Sequence, residues 1–526
     1  MTDASAGDEE NWRPKYNPWL IAVVVTLGAF MEVLDTTIIN VALPHISGAL
    51  GSSYDDATWA LTSYLVANGV VLTISAWFSK VFGRKRYFLI CILMFTVSSF
   101  LCGLSDSLPV LIIFRLMQGF FGGGLQPIQQ SIILDTFPPE KRGAAFGLTA
   151  IAIVVAPILG PLLGGYLVDN FSWRWIFYVN VPFGILTLVG VYALVEDPPW
   201  VKPERERIDV IGMSLITFGL GCLEVMADRG EDDDWFHSGF IVTMAVIGSL
   251  CVIASIIWLL TTKNPLLNLE IFKDRNFAVG TFLIAMVGGL LYAAAIIVPQ
   301  FAQQILGYTA TLSGQVLAPG GVAVIILIPI VGKLMGKFQT RNIIALGFFL
   351  MGCSLFYSAQ LQPTTSYNFL VLCRVFQTAA LAFLFVPIST IAYSTLPRHL
   401  NADASAMFSM ARNYIGSLAI SFATAFVIET QQKRQSLIVH NMTPYHQAFQ
   451  DYLAVVKRAA MEVGMTASQA SSYATHHLYE SFRQQVSMLA YNQVFMEIGI
   501  VAFCVVPFCF LFSPTAEKSS GEGGMH

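Results

Sequence analysis

Fourteen stretches of this chain are each long and apolar enough to cross a bilayer, and nothing else in the sequence constrains the fold as strongly. A spanning helix needs about 20 mostly apolar residues. Stretches that qualify fall at about 19–44, 57–79, 87–105, 108–132, 144–168, 174–195, 209–227, 238–261, 277–300, 313–335, 342–361, 367–393, 404–428 and 492–513. Hydrocarbon offers peptide groups no water to bond, so each stretch must satisfy its own backbone as a helix. The chain is expected to be an all-α, multi-pass membrane protein. Only 12% of its 526 residues are charged, against roughly 25% in a soluble protein, too few to cover a water-facing surface. The net charge of −4 averages over buried and exposed parts and says little about partners; no nucleic-acid partner is expected.

Lysine and arginine in short loops favour the cytoplasmic side. With the N-terminus inside, cytoplasmic segments hold Arg13, Lys15, Lys80, Arg84, Lys85, Arg86, Lys141, Arg142, Lys202, Arg205, Arg207, Lys263, Lys273, Arg275, Lys333, Lys337, Arg341, Arg398 and Lys518, while the short outer loops hold only Arg174 and Arg229. Both ends are expected in the cytoplasm. The first 17 residues are polar and acidic, with no basic n-region or cleavage site, so no removable signal is expected. The eight cysteines all lie in apolar stretches without metal-ligand spacing and read as free thiols. One long connection, about 429–490, falls outside, where loop charge does not count. It has few helix breakers and reads as two or three helices beyond the membrane, the last running into the final span.

A faint repeat divides the chain. "FRLMQ" (114–118) opens the fourth span and "CRVFQ" (373–377) the twelfth, and each reaches a proline turn 23 residues past its arginine, at Pro138 and Pro397. The expected organisation is a tail 1–18, a six-helix half 19–200, an inserted pair 201–262, a second six-helix half 263–515 containing the outer loop 429–490, and a tail 516–526. Repeated halves are common in secondary transporters, with the substrate site between them near the midplane.

Charge inside the spans marks the candidate site. An ionised group at the bilayer centre costs about 2.5–3.5 kcal/mol even on insertion scales, so such groups pair or line water. Asp35 on the first span and Arg115 on the fourth are expected at similar depth, as a proton-titrating pair or a fixed structural one. Glu32 lies one turn from Asp35, and both acids are expected to point into a cavity between the two halves; Glu32 is read as a partner in proton exchange, a cation selector or a bystander. Glu224, Asp228, Arg374 and Arg412 are further cavity candidates, with interfacial solvation the alternative for the two acids and snorkelling for the two arginines. In "APILGPLLGG" (156–165), Pro157, Gly160, Pro161, Gly164 and Gly165 suggest a hinge or a close packing seam. No phosphate-binding loop, nucleophile elbow or zinc motif occurs, and no selectivity-filter repeat. Neither an enzyme nor a channel is expected, and no cofactor or metal.

Together these residues resemble the major facilitator superfamily, and within it the EmrB/QacA-type drug:proton antiporters with fourteen spans. "LDTTIINVALP" (34–44), "RLMQGFFGG" (115–123) and "APILGPLLGG" are similar to that family's motifs in spans 1, 4 and 5, and "DNFSWRWIFYVNVPFG" (169–184), "DRGEDDDWF" (228–236) and the long outer loop resemble the EmrB branch. The resemblance implies a major facilitator fold of two six-helix halves plus two inserted helices, and proton-driven export of amphipathic toxic compounds from the cytoplasm. It implies a bacterial inner membrane, a periplasmic membrane fusion protein of the EmrA type and an outer-membrane channel of the TolC type. It also implies that Arg115 takes part in proton coupling. One motif departs. The loop after span 2 keeps Gly83, Arg84 and Lys85 but has Lys80 where the family has an acid, so the inner latch between halves is expected to be weak or differently built. The rival readings are a dedicated exporter of one metabolite, such as a siderophore or aromatic acid, a facilitator without proton coupling and, in a different class, a membrane enzyme or structural adaptor, which the missing catalytic motifs disfavour.

Overall fold

The computed structural model describes residues 14–199, 209–231, 233–262, 265–440, 442–443 and 445–513. Most of the tail 1–18, the connection 201–208 and the tail 516–526 lie outside the described residues, as do Arg13, Lys202, Arg205, Arg207, Lys263 and Lys518. Among the described residues there is no strand, and fourteen helices have the length and apolarity of membrane spans. The first six are α1 (Pro18–Leu50), α2 (Trp59–Phe82), α3 (Arg84–Leu104), α4 (Leu108–Thr136), α5 (Glu140–Asn170) and α6 (Trp175–Leu194). An additional pair follows, α7 (Val210–Arg229) and α8 (Gly239–Thr261). The last six are α9 (Arg275–Gln304), α10 (Ala310–Met335), α11 (Thr340–Ser358), α12 (Tyr367–Ala392), α13 (Asn401–Val439) and α14 (Ala467–Val505). All fourteen expected stretches are therefore helical.

The two sets of six pack alike. α1 lies on α5, α2 on α4 and α3 on α6; correspondingly α9 lies on α13, α10 on α12 and α11 on α14. Lipid tails are as apolar as leucine, so close backbone approach at small residues holds such pairs together. A Cβ on Gly119 of α4 would overlap the carbonyl oxygen of Tyr64 on α2, and one on Gly160 of α5 would overlap Thr37 of α1. The second set uses the same device, Gly288 of α9 pressing on the carbonyl of Arg412 in α13. The halves meet along two seams, α5 with α10 and α2 with α13. At the first seam Gly314 packs on the backbone of Pro161 and Leu162. The α7–α8 pair stands outside the twelve, with α7 touching both α2 and α13.

Two features differ from a simple row of rods. α4 is broken: one segment ends at Gly122, the chain turns through Gly123 and Gly124, and a second segment restarts at Leu125. α13 and α14 run 39 residues each, well past the membrane. An outer helix Gln447–Glu462 packs on α14, which begins with a capping box between Thr466 and Gln469. The outer connection is thus two helix extensions and one helix between them.

With each span crossing in turn, α1 begins on one face of the bundle, here the proximal face, and ends on the other, the distal face. The proximal face is closed across the halves. Lys80 at the end of α2 pairs with Asp403 at the start of α13 at 2.9 Å, and Asp403 is buried. Arg84 pairs with Asp135 of α4, which also accepts from Asn401 of α13 at 2.8 Å. Phe146 of α5 stacks on Tyr393 beyond α12, ring centroids 5.7 Å apart. The latch is accordingly built with its charges exchanged, the cation on the first half and the acid on the second. Gly83 makes the turn from α2 into α3 at φ +82°, a conformation glycine adopts without strain. Lys85 bonds the carbonyl of Tyr192, tying α3 to α6.

Candidate functional site

A cavity of about 410 Å³ lies between the halves. Its lining climbs from Glu32, Asn68 and Gln126 at mid-depth to Pro44, Tyr54 and Gln304 at the distal ends of the helices. The cavity therefore faces the distal side while the proximal side is latched.

Glu32 and Asp35 are one turn apart on α1, yet they face different surroundings. Glu32 lies on the cavity wall. Its Oε1 accepts from Asn68 of α2 at 2.9 Å and its Oε2 from Gln126, the second residue of the restarted α4. Gln126 in turn accepts, through Oε1, from Arg412 of α13. A neutral amide thus bridges a carboxylate on the first half and a guanidinium on the second, on the floor of the cavity. Arg412 is fully buried and its Nη1 has no partner.

Asp35 does not reach the cavity. It is fully buried inside the first half, 2.5 Å from Nη1 of Arg115. Its Oδ1 also accepts from Gln118 of α4 and Asn180 of α6, both at 2.8 Å. Arg115 donates further to the carbonyl of Ala60 at 3.0 Å and lies over the ring of Tyr64. Each group of the pair is neutralised and hydrogen-bonded, which a buried ion pair needs to offset its lost hydration.

The other sequence candidates separate. Asp228 lines the cavity near its mouth and accepts from Thr62 of α2. Glu224, one turn deeper on α7, is buried and accepts from Ser417 of α13. Arg374 repeats Arg115 in α12 down to its glutamine three residues on, since Nη1 donates to Gln377 at 3.4 Å. No carboxylate among the described residues pairs with it, and it lies inside the second half, away from the cavity lining. Pro157 and Pro161 line the cavity from an unbroken α5, while Gly160 and Gly164 turn toward α1 and Gly165 is buried. The seam reading of this segment describes its geometry better than a hinge.

Sequence reasoning had not singled out Asn68, Gln118, Gln126, Asn180, Asp135 or Asp403. Four of these are neutral amides within apolar runs. The repeated Arg-x-x-Gln in "FRLMQ" and "CRVFQ" already carried the signal for Gln118.

Residues 25–420 match the family model of the Major Facilitator Superfamily. The chain is 35% identical to the multidrug export protein EmrB of Haemophilus influenzae, over 90% of its own length and 92% of that protein's. It is 30% identical to the fatty acid resistance protein FarB of Neisseria gonorrhoeae, over 96% of this chain and 97% of that one. Among solved structures, the proton:xylose symporter XylE superposes with a TM-score of 0.56 at 16% identity, covering 93% of this chain and 94% of that one, a likeness of fold alone. Two packed sets of six helices, a cavity between them and this degree of identity over nearly the whole length together establish that the chain is a multi-pass membrane transporter of the major facilitator superfamily, in its EmrB-type branch.

Proposed function

We propose that this protein is a proton-coupled antiporter that exports amphipathic toxic compounds across a bacterial inner membrane. The distribution of lysine and arginine supports reading the proximal face as cytoplasmic and the distal face as periplasmic. One observation carries the coupling: the buried Asp35–Arg115 pair lies one helical turn behind Glu32, which lines the outward-facing cavity. A proton arriving at Glu32 releases it from Gln126 and Asn68. A proton reaching Asp35 takes the place of Arg115 as its partner and frees the guanidinium to reorganise α1, α4 and α6. One inward proton gains about 2.3 kcal/mol per 100 mV of membrane potential, enough to drive useful accumulation. The multidrug export named for the EmrB relatives supports a broad substrate range, and the mixed lining, with the carboxylates of Glu32 and Asp228, amides and aliphatic side chains, suits amphipathic cargo.

Reconstituted protein under an imposed pH gradient tests this. Asp35→Asn should abolish pH-driven efflux while leaving the protein folded; undiminished transport would refute the assignment. A second reading, export of one amphipathic acid, is favoured by Arg412, buried behind Gln126 of the cavity floor, and by the FarB relative. A screen of cations against carboxylates separates the two. The periplasmic adaptor and outer-membrane channel belong to the same proposal, with the outer helices as the docking surface.

A further inference from the structure

Resting on the antiport reading, we propose that Glu224 is a second proton-binding site of the transport cycle, carried by the inserted helix α7 and distinct from Glu32 and Asp35. Three observations place it. Glu224 is 3% exposed, and its Oε2 has no hydrogen-bond partner. No lysine, arginine or histidine among the described residues forms an ion pair with it. A buried carboxylate with neither a cation nor a full set of donors is stable only as the neutral acid or with a cation beside it. The groups facing it are few: Asp228 on its own helix, and Ser417 and the buried, unpartnered hydroxyl of Tyr414 on α13. α2 contributes Thr62, which bonds Asp228.

The position of α7 gives the proton something to act on. α7 holds the first half through Asp228 to Thr62 and Arg229 to Thr58, the latter at 2.9 Å. It holds the second half through Glu224 to Ser417. The helix therefore straddles the α2–α13 seam. Asp228 and Ser417 both line the cavity, so the route to Glu224 opens from the outside in this state. The proton forms an O–H bond at Oε2 and leaves to water on the other side once the halves have rocked. Loss of the charge lets Glu224 donate as well as accept, so its hold on α13 depends on its protonation.

The proton-to-substrate ratio reads this directly. In proteoliposomes, a permanently cationic dye that the wild type transports is set against graded pH gradients until net flux stops. Glu224→Gln should transport with a ratio one proton lower, and Glu224→Asp should restore it. An unchanged ratio in a coupled wild type overturns the proposal, as does a change confined to the KM for cations, which would make Glu224 a substrate contact. A wild type that moves no protons removes the antiport reading itself, a distinguishable result. Should Glu224→Gln not transport, proton release on dye binding in detergent decides: one proton fewer than wild type, restored by Glu224→Asp, supports the site, and an equal count overturns it.

Discussion

Gln126 shows how much one uncharged side chain can decide. Its amide nitrogen donates to Glu32 and its amide oxygen accepts from Arg412, so the two charges satisfy one another without touching. A cationic substrate can take Glu32 and leave Arg412 on the amide; an anionic one can do the reverse. Gln126→Ala should leave both charges short of partners, each costing about 1–3 kcal/mol or more as an unsatisfied buried group. The expected outcome is a shift of several-fold in the relative KM for cationic and anionic dyes, with the protein still folded by thermal unfolding. At Gly119 the limit is steric. Gly119→Ala drives a methyl into the Tyr64 carbonyl, and a loss of about 1–3 kcal/mol should appear as a lowered Tm in detergent. Charged residues within apolar runs were legible in the sequence because their cost is large. The amides that surround them were not, because a lone Gln or Asn costs little enough to occur in a span for many reasons. Asp35 looked cavity-facing because it lies one turn from Glu32. Only packing against α4 and α6 shows that it turns inward.

Among elements, the proximal latch is the most informative. Its cation, Lys80, stands where the family resemblance leads one to expect an acid, and the acid appears on α13 as Asp403. Asp403 was hidden in the sequence as an ordinary first-turn acid, favourable at any helix N-terminus. Removing Lys80 takes away the cation by which α2 holds the buried Asp403 of α13. Lys80→Asp alone should favour the inward-open form, read as raised maleimide labelling of a cysteine placed on the proximal ends of α5 or α10. The exchanged pair, Lys80→Asp with Asp403→Lys, should return labelling toward the wild-type level. Failure of the exchange to restore it would mean that the pair is incidental to closure. The break in α4 at Gly123–Gly124 has a comparable role, since it sets Gln126, in the first turn of the segment that restarts at Leu125, at the cavity wall.

At the scale of the whole molecule, the fourteen spans were legible because bilayer thickness imposes one length on all of them. The pairing that makes the halves alike was only hinted at by "FRLMQ" and "CRVFQ", because repeated packing needs small residues at matching depths rather than matching letters. Deleting 440–480 should leave cavity transport in proteoliposomes intact and abolish capture of a periplasmic adaptor protein; retained capture would move the docking surface elsewhere. The outer helices also have a mechanical consequence. α13 and α14 are unbroken rods of 39 residues each, about 58 Å long, of which a bilayer core takes about 30 Å. A rotation of about 15°, of the size seen in rigid-body subunit rotations, would sweep their tips, about 43 Å from the bilayer midplane, through roughly 11 Å. The outer end is in effect a lever arm whose fulcrum lies in the membrane, so whatever is seated on it would feel each turnover as displacement.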